Sequence, residues 1–197
     1  MLRLIGTCFG VSACLLAQTA PNRLEGCPDP AKLALGLNAL QNRKWVNLSV
    51  ESVLEIWPSS LRGETCEPHC IRLFSEGRII RGAYECAESL HFDTSKADGG
   101  TLQTRLESVT IDYSTRTRKD RDAVERTLIS GLHMGDDAEE GYGVTTGLGR
   151  FRSIAWTDHE PERRSCSLDL QHTRVNTRWL LIFDLSCDTD GRPLGVK

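Results

Sequence analysis

The 197-residue chain carries 24 basic and 27 acidic side chains, for a net charge of −3 with its histidines neutral. That balance argues against nucleic acid as a partner, for which a net basic composition and a basic face would be expected. The length allows one sizeable core or two small ones, and eight cysteines make the redox compartment the first matter to settle.

Residues 1–20 read as an export signal. Arg3 is their only charge, Leu4 to Leu16 is largely apolar, and Ala13, Ala17 and Ala20 supply small residues for cleavage. The apolar run falls short of the roughly 20 residues a transmembrane helix needs, and no second candidate follows. Cleavage is expected between residues 13 and 21. Pro21 disfavours a cut after Ala20, while Val11-Ser12-Ala13-Cys14 resembles a bacterial lipobox in which Cys14 becomes a lipidated first residue. The apolar run continues past that cysteine, which favours ordinary export, periplasmic or secreted, over a lipid anchor. Beyond the signal remain Cys27, Cys66, Cys70, Cys86, Cys166 and Cys187. An even set in an exported chain implies up to three disulfides.

In chain order, 21–46 forms an N-terminal helical segment. Asp29-Pro30 caps and starts the helix, and Leu33, Leu37 and Leu40 follow at helical spacing. A first α+β unit is expected over 47–116. Its helix starts at Ser49, carries Val50, Val53, Leu54 and Trp57 on one stripe and ends at Pro58. A hairpin around Ser75-Glu76-Gly77 then joins Ile71–Phe74 to Arg78–Ile80, and strands over 84–92 and 102–113 complete the unit. The second unit spans 117–190. Asp122 with Glu125 predicts a helix start, with Val124, Leu128, Ile129 and Leu132 as the apolar stripe. The glycine-rich, acidic stretch 133–149 reads as an irregular loop, and a strand covers 151–156.

The last hairpin is the clearest pattern in the chain. Cys166, Leu168 and Leu170 alternate on one side, and Trp179, Leu181, Phe183, Leu185 and Cys187 do the same on the returning strand. With the turn between His172 and Thr177, the two cysteines fall nearly opposite each other, so a Cys166–Cys187 bridge is expected. Register about a turn at 76–77 favours Cys66–Cys86, leaving Cys70 for Cys27. Residues 191–197 are a tail.

The fold class is therefore α+β, with antiparallel sheet and helices on one face, arranged as a repeated helix-plus-strands unit of about 70 residues. In layout alone this resembles the secreted β-lactamase-inhibitor proteins and the small outer-membrane assembly lipoproteins. No motif specific to either is present, so the resemblance implies a fold and not an activity.

Chemistry is sparse. Cys66-Glu67-Pro68-His69-Cys70 combines two thiols and an imidazole, ligands suited to a redox pair or to copper, although structural disulfides account for such cysteines more simply. The acids beside His133 lack the fixed ligand spacing of a calcium loop. The glycines of 141–149 lack the Lys-Ser/Thr of a phosphate loop, and no nucleophile-elbow or zincin motif occurs. His91 and His172 read as polar strand positions, and His159 as part of a charged turn. No catalytic residue and no cofactor are assigned. The expectation is an exported, disulfide-bonded, non-catalytic binding module with a protein or envelope partner, and the alternative is a thiol-redox or copper protein using Cys66, His69 and Cys70.

Overall fold

A computed structural model of the chain describes residues 28–42, 48–66, 70–75, 79–80, 83–84, 86–96, 102–145, 149–158 and 164–188. The export segment with Cys14, together with Cys27, His69, His159 and the tail, lies outside the described residues.

Among the described residues three helices form where capping and periodicity coincide. Helix α1 (Pro30–Asn42) opens as Ala31 N–H donates to the Asp29 carboxylate at 3.0 Å. Helix α2 (Val50–Ile56) is capped by Ser49, whose Oγ accepts from Ser52 N–H. Leu54, expected inward, is instead exposed. Helix α3 (Arg118–Ile129) starts five residues earlier than a cap at Asp122 would place it. Thr117 is its cap, its Oγ accepting from Asp120 N–H at 3.1 Å, and Asp120 occupies the first turn where a carboxylate favours the helix dipole.

Among the described residues ten strands follow one another as β1 (Arg62–Cys66), β2 (Cys70–Ser75), β3 (Ile79–Ile80), β4 (Ala83–Tyr84), β5 (Cys86–Lys96), β6 (Leu102–Thr115), β7 (Glu139–Thr145), β8 (Gly149–Asp158), β9 (Arg164–Val175) and β10 (Arg178–Asp188). Eight form one antiparallel sheet in the order β1-β2-β5-β6-β10-β9-β8-β7, and β3 pairs with β4 alone. Two meanders thus meet at their last strands, β6 against β10.

Two expectations on strands are corrected. The chain does not reverse at Ser75-Glu76-Gly77. Cys70 pairs with Asp93, and the pairing of Ile79 with Tyr84 and of Ile80 with Ala83 keeps the same register, so the reversal falls between 80 and 83. Nor is 133–149 wholly irregular, because Glu139–Thr145 is an edge strand paired to β8. Its glycine is tolerated there because the Phe151 ring lies over Gly143, filling the space a side chain would take.

The core joins both halves. Leu33, Leu37 and Leu40 of α1, Val53 of α2 and Leu128 of α3 pack in one cluster with alternate strand residues such as Leu90, Ile111, Phe183 and Leu168. Close approach of α1 to the end of α3 requires Gly131, since a Cβ there would strike the backbone of Ala34.

One disulfide lies in the interior of this sheet and one at its β1 edge. Cys166 and Cys187 are bridged and are direct cross-strand partners, with Cα atoms 4.1 Å apart. No slip is needed, because the two-residue turn Asn176-Thr177 sets the register, Asn176 taking the positive φ of 54° that hairpin turns favour. The Cys66–Cys86 register argument fails for the reason that moved the turn. Cys66 sits opposite Cys70 across the β1–β2 hairpin and is bridged to it, with Cα atoms 4.9 Å apart. Cys86 is also disulfide-bonded, and its partner lies outside the described residues.

Candidate functional site

Strands β8 and β9 run past the cover that α3 provides. At one end their core-facing positions are apolar: Ile154 and Trp156 on β8, and Cys166, Leu168 and Leu170 on β9. Continuing with the same period of two, the next core-side positions are Arg152 and Arg150 on β8, and His172 and Arg174 on β9. These side chains, one side of α3, Tyr142 of β7 and Trp179 of β10 line a cleft of about 660 Å³.

The cleft is strongly cationic. Its lining holds Arg118, Arg121, Arg126, Arg150, Arg152 and Arg174 against two carboxylates, Asp122 and Glu125. Both carboxylates are occupied. Glu125 is buried and accepts from His172 Nε2 at 2.7 Å, and it faces Arg152 at 3.5 Å. Burial alone would raise its pKa, but the His172 hydrogen bond and the charges of His172, Arg152 and Arg121 outweigh this and hold the carboxyl below its usual range. Asp122 is paired with Arg121 and, at 3.8 Å, with Arg118. Just outside the lining, Glu140 binds Arg152 and accepts from the Tyr142 hydroxyl, contacts that lower its pKa. Arg152 Nε is buried without a hydrogen-bond partner among the described residues.

Aromatic contacts set the positions of two guanidiniums. Arg121 and Arg174 lie over the Trp179 ring, 5.3 and 5.5 Å from its centroid. Such cation–π contacts restrict long side chains that would otherwise be mobile. Arg126, Arg150 and Arg174 are exposed and make no ion pair among the described residues. Gly149 closes the rim. Its φ of +85° and its approach to the His172 carbonyl leave no room for a side chain.

The opposite side of the sheet is polar. Asp112, Asp169 and Asp184 are half-buried near its middle, where Asp184 is the cross-strand partner of Asp169. Burial and the charge of Asp184 raise the pKa of Asp112. Asp184 is likewise raised by burial and by Asp169, partly offset by a hydrogen bond donated from Thr110. His91 lies on the same side, and burial and the Arg72 charge lower its pKa. Among the described residues no group of three or more His, Cys, Asp or Glu is placed to hold a metal ion.

Of the residues singled out in the sequence, His172 lies in the cleft and the thiol and acidic-loop candidates lie elsewhere. Cys66 and Cys70 are joined at the outer edge of the sheet, while His69 is outside the described residues. His133 ties its loop to α1, its N–H donating to Gln41 and its ring bonding Asn38 at 2.7 Å. Asp137 accepts from Thr157 N–H. The cleft itself was missed, although its signal is present: Arg150, Arg152, His172 and Arg174 share the parity of the core residues next to them. No family, no curated protein and no solved structure matches this chain.

Among the described residues no helix is long and apolar enough to cross a membrane.

Proposed function

We propose that the chain is an exported, disulfide-bonded, non-catalytic binding module that seats its ligand in the cleft beside α3. The observation that carries this reading is the lining itself. Six arginines converge where the helical cover ends, and the nearby carboxylates are spent on His172 and arginines rather than set beside a nucleophile. An apolar floor would serve stability better at these positions, so their charge is better explained by what they meet. Export is supported by the bridged cysteines, since such bonds persist in oxidising compartments. The two meanders are read as a repeated unit, each a helical segment followed by four sheet strands. Their helices are taken to cover one face, leaving the other open to an envelope or protein partner.

The test is affinity capture from the native envelope with the mature chain and its Arg150→Gln, Arg174→Gln double variant. A ligand held by the first and lost from the second is expected. Equal retention by both would remove the cleft from the account.

A second reading, a thiol-redox or copper protein, draws on the bond between Cys66 and Cys70, four residues apart on an edge hairpin. Alkylation under mild reductant followed by intact mass decides it. Selective opening of this pair with copper or thiol exchange supports redox work, and a pair as inert as Cys166–Cys187 supports scaffold.

A further inference from the structure

We propose that the cleft takes a small ligand carrying two or more oxyanion groups, carboxylates or phosphates. This rests on the binding-module reading above and adds the ligand's chemistry to it. Arginine is the side chain suited to that role, because its planar fork donates two parallel hydrogen bonds to a carboxylate or phosphate and stays charged at any ordinary pH.

Three observations point to an anion. The lining holds six arginines and two carboxylates, so it is four charges positive within a chain whose net charge is −3. The carboxylates that would otherwise neutralise it are turned to partners inside the wall: Glu125 to His172 and Arg152, Asp122 to Arg121. Arg126, Arg150 and Arg174 are left facing the cleft without an ion pair among the described residues, and Arg174 is held over Trp179. Cations gathered this closely repel one another, and a bound anion would relieve that repulsion.

The ligand is small for two reasons. A cleft of about 660 Å³ is within the size of small-molecule sites. Outside it, the remainder of the chain carries seven more acids than bases, given the net charge of −3 and the four positive charges of the lining. An extended polyanion such as nucleic acid, an acidic polymer or an anionic bilayer would have to reach past the cleft along a chain that is otherwise net acidic. More than one oxyanion is needed because the unpaired arginines come from separate elements, Arg126 from α3, Arg150 from β8 and Arg174 from β9.

The experiment is calorimetric titration of the mature chain with sodium pyrophosphate and with citrate, each against sodium chloride of matched ionic strength. A hexaglutamate peptide and phosphatidylglycerol vesicles are run in parallel. Saturable binding of pyrophosphate or citrate is expected, weakened at least about tenfold by Arg150→Gln and again by Arg174→Gln. Both residues are exposed, and an unchanged melting temperature without ligand will show that the variants are folded. Arg62→Gln, on the outer strand β1, should leave the affinity as it was. The proposal is overturned if neither small anion binds beyond the chloride control, or if binding survives the double variant. It is also overturned if only the peptide or the vesicles bind. The binding-module reading would survive these failures wherever envelope capture still depends on Arg150 and Arg174, and would fail alone if anions bind but capture does not.

Discussion

Glu125 and Glu88 are buried carboxyls with opposite electrostatic settings. Glu125 is held ionised by His172 and the arginines, so its folded pKa lies below the unfolded value. It therefore contributes stability above the unfolded pKa, and that contribution is lost as pH falls through the folded one. Removing the charge with Glu125→Gln should lower unfolding free energy by about 2 kcal/mol at neutral pH, read as a fall in the urea midpoint. Glu88 behaves inversely. It accepts from Trp57 Nε1 at 3.0 Å and from the Ser59 hydroxyl, but its Oε1 is buried without a partner among the described residues and burial raises its pKa. Its contribution is fully present below the unfolded pKa and is lost as pH rises through the folded one. Urea midpoints should accordingly fall as pH rises above the unfolded carboxyl pKa, and Glu88→Gln should flatten part of that slope. Asp112 and Asp184, also raised, would retain the rest. The neighbouring Tyr113 phenol, pushed up to about 12 mainly by burial, stays neutral throughout.

At the level of single elements, the closing hairpin and the rim of the cleft can be tested separately. Replacing Cys166 and Cys187 by alanine should cost about 3 kcal/mol in the chain-entropy view of a loop this size, seen as a lowered melting temperature. Gly149→Ala asks an L-residue to adopt φ +85° against the His172 carbonyl and should cost about 1–2 kcal/mol or more. What was legible in the sequence follows from how local each cause is. The starts of α1 and α2 are set by Asp29 and Ser49 within one turn, and the β9–β10 register by alternation over eleven pairs. Two kinds of feature escaped. Strand β1 is mostly exposed and β7 exposes Tyr142 and Val144, so neither shows a buried face whose period betrays it. Helix α3 is capped at Thr117 and not at Asp122, and its earlier turns carry Arg121, which lies over Trp179. The cleft escaped because polar residues in strands usually mark the solvent side. Here they continue the core side beyond the helix that covers it.

Taken whole, the molecule is two meanders joined through their final strands, with disulfides near its edge and its closing hairpin. Intact mass after alkylation without reductant should show Cys66, Cys70, Cys86, Cys166 and Cys187 all protected. Label on any of them would contradict the bonding described. The seam has a further consequence, for the order of events in time. Strand β6 bonds to β10 from Thr115–Trp179 to Ser108–Ser186, so residues at least 64 positions apart must meet before the middle of the sheet exists. Contacts that distant slow folding, because closing the intervening chain costs entropy before any pairing repays it. The first meander can assemble early, yet it must wait with β6 as an open edge until the last strand has been delivered. A chain truncated before Arg178 should therefore self-associate through β6, and stopped-flow refolding of the full chain should be correspondingly slow, in the range of milliseconds to seconds.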